Sequence, residues 1–310
     1  MTFGHDEIER TVRPAVRAEE AVRPAMAGLS AWRRLERIGL YVLMTFLMLF
    51  TLIPFVWMFS SAFRPVPEIF EYIYPLSWKT FFPVNFTAAN FQKLLFSEGT
   101  EWPRYIFNTL FVAGVTVVLG GLVNAMAAYA FARIRFPGRE LLFVLTLLTV
   151  VIPFEAIALP LYLVVKQIGW LDSYQALIVP GLANAFNIFL LRQFFLGIPR
   201  ELEEAAIIDG ASRFRIFFQV IIPLSWPALI SVGLITFQAS WDAFIWPLIV
   251  TSSPSVRVLQ IAISNLAGQD AVYWNELFAG VALAAAVPII LFLIFQRYYT
   301  RGISTTGLKG

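Results

Sequence analysis

Few side chains in this sequence suit chemistry, and the most unusual are two acids inside apolar stretches, Glu155 and Asp242. An ionisable group at the centre of a membrane-spanning helix costs about 2.5–3.5 kcal/mol, so each acid is expected to face a wet cavity or a bundle interior. Carboxylates accept hydrogen bonds from hydroxyl groups, and the nearby Trp241 and Trp246 offer apolar faces for the rings of a solute. These residues predict a solute path. The alternative is that each acid is satisfied by a neighbouring helix or partner chain, or stays protonated.

Groups that catalyse reactions are scarce. The chain of 310 residues contains no cysteine and one histidine, His5, which excludes disulfides and thiolate metal sites and removes most histidine chemistry. It also lacks a G-x-x-x-x-G-K-[ST] phosphate loop, so ATP binding of the usual kind is not expected. We therefore expect no enzyme activity, no metal and no cofactor on this chain.

The composition indicates an integral membrane protein. Hydrophobic residues make up 59% of the chain and the mean hydropathy is +0.73, whereas soluble domains are about 45–50% apolar. A helix of about 20 apolar residues crosses the roughly 30 Å hydrocarbon layer of a membrane. We predict an all-α fold with six spans, at residues 38–60, 105–131, 141–163, 174–196, 226–250 and 276–296. Glu155 then lies in the third span and Asp242 in the fifth.

Positive charge is distributed unevenly between the two sides of these spans. Seventeen of the 23 lysines and arginines fall in the two terminal tails, between the second and third spans, and around residues 192–215. Cytoplasmic loops carry such an excess, so both termini and the segment between the fourth and fifth spans are expected in the cytoplasm. We interpret the net charge of +3 as a topology signal rather than as a surface for nucleic acid.

The spans divide the chain into four parts. Residues 1–37 mix acidic and basic side chains with two prolines, which predicts a solvated, mobile tail. Residues 38–104 hold the first span and an external loop rich in aromatic residues and prolines, which suits either an interfacial aromatic belt or a docking surface for an external partner. Residues 105–296 form a core of five spans, and residues 297–310 form a second tail.

A polar interruption within the core, residues 199–223, predicts a helical hairpin. Pro199 suits the first position of a helix, and the acidic residues that follow suit its N-terminus: Glu201, Glu203 and Glu204. Gly210 ends this arm, Ser212 caps the second arm, and Pro223 stops it.

The first arm of this hairpin presents Ala205 and Ala206, which are small enough for the backbone of another protein to approach closely. Glu204 beside them can pair with a cation on that partner. The alternative is a surface hairpin that lies in the lipid interface.

The hairpin sequence resembles the EAA motif of the membrane-spanning subunits of ABC importers. The segments Glu204-Ala205-Ala206, Gly210 and Ile221-Ile222-Pro223 fit the motif, and Asp209-Gly210-Ala211 fits its longer form. The resemblance implies a coupling helix that docks on an ATPase subunit. The residues it assigns to coupling are Glu203, Glu204, Ala205, Ala206, Asp209, Gly210, Ala211 and Pro223.

Further segments resemble the permeases of carbohydrate ABC importers of the maltose type. They include Asn85 to Phe91, Phe189 to Phe195, Trp246-Pro247-Leu248 and the ending Gly307-Leu308-Lys309-Gly310. Two positions depart from that pattern: Trp241-Asp242-Ala243-Phe244 stands where Trp-Asn-Glu-Phe is usual, and Leu308 stands where alanine-valine is typical.

The resemblance implies a type I ABC importer permease fold in the cytoplasmic membrane of a bacterium. It implies a second permease subunit, so a heterodimer, a cytoplasmic ATPase dimer that holds ATP and magnesium, an extracytoplasmic solute-binding protein, and a sugar as cargo. Two alternatives stay open. One is an ABC importer for polyamines, phosphate or amino acids; the other is a secondary transporter or channel, which needs no docking hairpin.

Overall fold

The computed structural model describes residues 5–269 and 272–304, with side chains described between residues 32 and 296 outside that gap. Every regular element in these ranges is helical, which confirms the all-α prediction. The chain divides into two compact units, residues 1–60 and residues 61–310.

The first unit consists of most of α1 (His5–Ala62), a helix of 58 residues. Its apolar part, Trp32–Ala62, is long and apolar enough to cross a membrane. The predicted tail, residues 1–37, is helical from His5 onward, and its mobility stays a prediction. Residues 5–37 are rich in alanine, glutamate and arginine, and these are strong helix formers that outweigh the mixed charge and the two prolines.

The second unit opens with the predicted external segment, which folds into short helices rather than an open loop: α2 (Val66–Glu71), α3 (Trp78–Phe81) and α4 (Ala89–Phe96). Arg64 is fully buried and donates hydrogen bonds to the carbonyl oxygens of Lys79 and Thr80 at 2.9 and 3.1 Å. Buried Glu68 accepts one from the backbone N–H of Asn85 at 3.0 Å. These two charged side chains satisfy loop backbone that would otherwise be buried without partners.

The external segment also contacts the last long helix, α17 (Trp274–Ser304). Asn275 donates a hydrogen bond to Asn90 at 2.8 Å. The Lys93 ammonium bonds to Glu276, and that hydrogen bond raises the pKa of Lys93. The external segment is therefore fixed to α17, while several of its large side chains stay exposed: Tyr74, Leu76, Trp78 and Phe82.

The core of the second unit begins with α5 (Trp102–Val115) and α6 (Gly121–Arg133), which a π-helical turn joins into one helix. The following helices are α7 (Arg139–Leu148), α8 (Phe154–Gln167), α9 (Tyr174–Ile178) and α10 (Ala185–Leu196). Small side chains of α6, at Ala125, Ala128 and Ala132, pack in one buried cluster with Leu191 and Phe195 of α10. Small residues let two helices approach closely without a hydrophobic driving force between them.

Within the residues that the structure describes, three helices are long and apolar enough to cross a membrane: Trp32–Ala62, Trp102–Arg133 and Trp274–Gln296. Three further pairs of helices qualify only if each bent pair counts as one span. They are Arg139–Val151 with Phe154–Gln167, Tyr174–Gly181 with Ala185–Leu196, and Arg213–Leu224 with Trp226–Trp241, bent by 102°, 45° and 81°.

The sharpest bend, at Ile152-Pro153, has a local cause. Ile152 has extended backbone, with ψ near 116°, because the residue before a proline is pushed away from the helical region. Pro153 then caps α8. The bend of 102° places Glu155 in the first turn of α8, where a negative charge is favourable.

The predicted fifth span, residues 226–250, is also interrupted. It consists of α14 (Trp226–Trp241) and α15 (Ile245–Val250), with Asp242 at the break between them. A further helix, α16 (Leu259–Ala267), was not predicted, because nine residues, six of them apolar, are too few to cross a membrane.

Candidate functional site

The hairpin predicted at residues 199–223 forms in this structure. Its first arm is α11 (Glu201–Ile208), which begins two residues after Pro199. Gly210 turns the chain with φ of 78°, a backbone conformation that favours glycine. Ser212 caps the second arm as predicted, since its hydroxyl accepts a hydrogen bond from the Arg215 N–H at 3.3 Å.

The second arm is less regular than the sequence suggested. It comprises α12 (Arg213–Ile216), a π-helical turn (Phe217–Ile221) and α13 (Ile222–Leu224). Pro223 is the next-to-last residue of this arm, which ends at Leu224, in agreement with the prediction that a proline stops it. The 81° bend before α14 follows directly.

The residues assigned to coupling do not share one face of the hairpin. Glu204, Ala205, Asp209, Gly210 and Pro223 are exposed. Ala206 and Ala211 are half-buried and pack against the chain's own core cluster. The face left for another protein is therefore made by Glu204, Ala205 and Asp209, next to Ile208, whose side chain is 85% exposed.

Glu203 corrects the sequence interpretation. Its residue is only 5% exposed, so it does not belong to the outer face with Glu204. Its Oε1 atom lies 3.0 Å from Nε of Arg133, the last residue of α6. Glu203 is thus an internal ion-pair partner rather than a group that a docking protein can reach.

Glu155 lines a groove of about 480 Å³ between α8 and α15. Four residues of α8 form one wall at helical spacing, and two isoleucines of α15 form the other: Glu155, Ala158, Leu159 and Tyr162, with Ile245 and Ile249. The groove has the size of a small-molecule site, and it combines an apolar lining with one carboxylate and one phenol. That combination suits a solute with both hydroxyl groups and apolar ring faces.

Asp242 is exposed at the end of α14, and it is not among the residues that line this groove. Its Oδ2 atom accepts a hydrogen bond from the Gln238 side chain one turn earlier. The carboxylate therefore has one partner within its own helix and one oxygen left for another group.

The two tryptophans predicted beside the acids are packed inside the chain. Trp241 is 1% exposed and donates its indole N–H to the Ala284 carbonyl at 3.0 Å. Trp246 is 9% exposed and donates to the Ala176 carbonyl at 2.8 Å. The expectation that both rings offer their faces to a sugar does not agree with this structure, because buried rings with satisfied N–H groups are core residues.

Comparison with known proteins bears on this combination of a hairpin and bent apolar helices. Residues 117–305 match the family described as binding-protein-dependent transport system inner membrane component. The chain belongs to this family. The match includes the whole hairpin, both acids and the groove.

Relatives of this inner membrane component cover most of its length. The probable ABC transporter permease protein YurM of Bacillus subtilis is 34% identical over 261 residues, which is 83% of each chain. The arabinooligosaccharides transport system permease protein AraQ of Halalkalibacterium halodurans is 32% identical over 265 residues, 86% of this chain and 94% of the relative.

A solved structure shares the fold of this inner membrane component. A chain in the crystal structure of a bacterial ABC transporter involved in the import of the acidic polysaccharide alginate superposes with a TM-score of 0.76. The two chains are 24% identical, and the match covers 86% of this chain and 97% of the other. The chain is therefore a multi-pass membrane protein with a type I ABC importer permease fold.

Two residues of this inner membrane component that bear on function escaped the sequence analysis. Arg133 was counted only as a topology charge, and Tyr162 was not assigned to the predicted solute path. A signal for the inward side of α11 was present: Glu203 and Ala206 are three residues apart and share a helix face, whereas Glu204 lies on another. No comparable signal pointed to Arg133, since its partner is 70 positions away.

Proposed function

We propose that the chain is one of two different permease subunits of a bacterial ABC importer for carbohydrates. The hairpin carries this proposal. Its first arm leaves Glu204 and Ala205 exposed, while its second arm is rooted in the core cluster through Ile216, Phe217 and Ile221. Such a surface suits a partner that must both bind the hairpin and move it. That partner is a cytoplasmic ATPase dimer, which binds the ATP and magnesium that this chain has no motif to hold.

Two arguments support a carbohydrate as cargo. The relative AraQ is described as a permease of an arabinooligosaccharides transport system, and the transporter with the similar fold is described as importing the polysaccharide alginate. Independently, the groove beside Glu155 offers a hydrogen-bond acceptor over an apolar floor. In this proposal Glu155 and Asp242 face the translocation path formed with the second permease, and Trp241 and Trp246 support it from behind.

An extracytoplasmic solute-binding protein delivers the cargo to the outer side. The ordered external segment, residues 61–104, suits that contact, because it combines a fixed backbone with exposed large side chains. The three bent helix pairs are proposed to act as one span each, which makes six spans with both termini in the cytoplasm.

The function is tested by purifying the complex and measuring uptake. The chain is co-expressed with its second permease and ATPase, reconstituted in liposomes with the binding protein, and offered labelled arabinose oligomers, maltose and lactose. We expect ATP-dependent accumulation of at least one of these sugars only when the binding protein is present. Uptake driven by an ion gradient without the ATPase would instead assign the chain to the secondary transporters.

The orientation is tested with single cysteines in the cysteine-free chain. Asp209→Cys places a thiol at the exposed tip of the hairpin, and Ser252→Cys places one in the exposed loop after α15. In intact cells a membrane-impermeant maleimide is expected to label position 252, and position 209 only after permeabilisation. Labelling of position 209 from outside would contradict the proposed contact with a cytoplasmic ATPase.

A further inference from the structure

The Arg133 side chain lies buried where three elements meet. Its Nη2 atom donates hydrogen bonds to the carbonyl oxygens of Phe195, in the last turn of α10, and of Ile198, in the connection to the hairpin. Its Nε atom lies 3.0 Å from Glu203 Oε1 on α11. One guanidinium therefore connects the end of α6, the end of α10 and the first arm of the hairpin.

Tyr129, one turn before Arg133 on α6, adds a second connection. Its hydroxyl lies 3.5 Å from Oε2 of Glu203. Its ring centroid lies 5.4 Å from that of Phe217 in the second arm. The α6 helix thus contacts both arms of the hairpin, through Tyr129 and Arg133. We call Tyr129, Arg133 and Glu203 the hairpin anchor.

Burial distinguishes the anchor from the other ion pairs near it. The Arg133 and Glu203 side chains are 4% and 7% exposed, whereas Glu140, which pairs with Arg139 and Arg192, is 62% exposed. Exposed pairs are screened by water and contribute little. A buried pair resists opening, because separation leaves an uncompensated charge away from water.

From this geometry we propose that the hairpin anchor makes the hairpin, α6 and α10 move as one rigid body. A displacement applied to the outer face at Glu204 and Ala205 then reaches the transmembrane helices undiminished. Glu203 is a positioning residue that acts inside the chain. The source of the displacement rests on the proposed function, but the rigid connection is a property of this chain alone.

The connection is measured as a distance between spin labels. Ile207→Cys lies at the far end of α11, on the side that bears Glu203, and Val118→Cys lies in the exposed part of the turn between α5 and α6. Fifteen helical residues between position 118 and Arg133 correspond to about 22 Å, which suits electron double resonance. We expect one narrow distance distribution, unchanged between the isolated chain and the complex trapped with ATP and vanadate.

Glu203→Gln removes the charge of the anchor and is expected to widen that distribution at least about two-fold. Glu140→Gln is the matched control, since it removes an exposed partner of Arg192 at the same end of the core, and it is expected to leave the width unchanged. An unaltered distribution in Glu203→Gln would overturn the proposal, as would a wild-type distance that changes when the complex is trapped.

If Glu203→Gln does not fold, Glu203→Asp tests the proposal instead. Aspartate keeps the negative charge but is shorter by one carbon–carbon bond, about 1.5 Å, so its carboxylate lies farther from Arg133. We expect it to bind the ATPase normally while the number of sugar molecules imported per ATP falls several-fold and the distance distribution widens. Normal import per ATP with an unchanged distribution would overturn the anchor. A wild-type chain that does not bind the ATPase would instead contradict the proposed function. The distances between the spin labels, measured on the isolated chain, would still test the hairpin anchor.

Discussion

An Ala205→Trp chain is expected to insert into the membrane and to lose nearly all ATP-driven import. Ala205 is exposed beside Glu204 on the outer face of the hairpin, so an indole there adds bulk only where a partner must approach. Truncation of a hot-spot residue near the centre of an interface costs about 2 kcal/mol or more, and we expect the added indole to cost at least as much. We therefore expect ATPase binding to weaken by at least about 30-fold, measured by co-purification and by uptake in liposomes.

Ala267→Trp is the matched control for this substitution, because Ala267 is an exposed alanine at the end of α16, away from the hairpin. It is expected to leave ATPase co-purification unchanged. Ala206→Trp is a poorer probe, since Ala206 packs against the chain's own core and the substitution disturbs the fold as well. Normal uptake by an Ala205→Trp complex would contradict the assignment of the outer face.

A Glu155→Leu chain is expected to import its sugar at least about 10-fold more slowly while basal ATP hydrolysis persists. Hydrogen bonds to charged groups contribute about 1.5–3 kcal/mol, which corresponds to rate or affinity changes of that order. Glu155→Gln keeps the shape of the side chain and a weaker hydrogen-bond acceptor, so its import rate should lie between those of the wild-type and Glu155→Leu chains. Initial uptake rates and ATPase activity, measured on the same liposomes, separate a defect in the path from a defect in coupling.

Glu98→Gln is the control for the lost charge, because Glu98 is an exposed acid in the external segment. Asp242→Asn should have a smaller effect than Glu155→Leu, since Gln238 already binds one of its oxygens. Unchanged uptake of every sugar by Glu155→Leu would favour the alternative that this acid has only a structural role.

Local chemistry explains which features the sequence predicted well. The turn at Gly210 and the cap at Ser212 depend on neighbouring residues only, and both form as predicted. The kink at Pro153 was also visible as a proline after an apolar run, although the predicted third span ran through it without a bend. Pro153 is the cause of the bend and is visible in the sequence, but we had assumed one straight helix for each span.

Partners that are distant in the chain explain what the sequence did not predict. Glu203 and Glu204 are adjacent and chemically identical, yet one is buried against Arg133 and the other is exposed. Trp241 and Trp246 were predicted to line the solute path, but both are buried and donate their N–H groups to carbonyl oxygens of α17 and α9. Tertiary packing determines which of these side chains is buried, and the local spacing of residues does not predict it.

The 102° bend between α7 and α8 has a consequence for the synthesis and turnover of the protein. A helix end leaves about four backbone groups without partners inside the helix, and in hydrocarbon each such group costs several kcal/mol unless protein or water satisfies it. In the proposed importer the second permease covers these ends, so a subunit without that partner leaves backbone groups unsatisfied in lipid. We therefore expect a subunit that is made in excess of the proposed partner to be degraded faster than one in the complex.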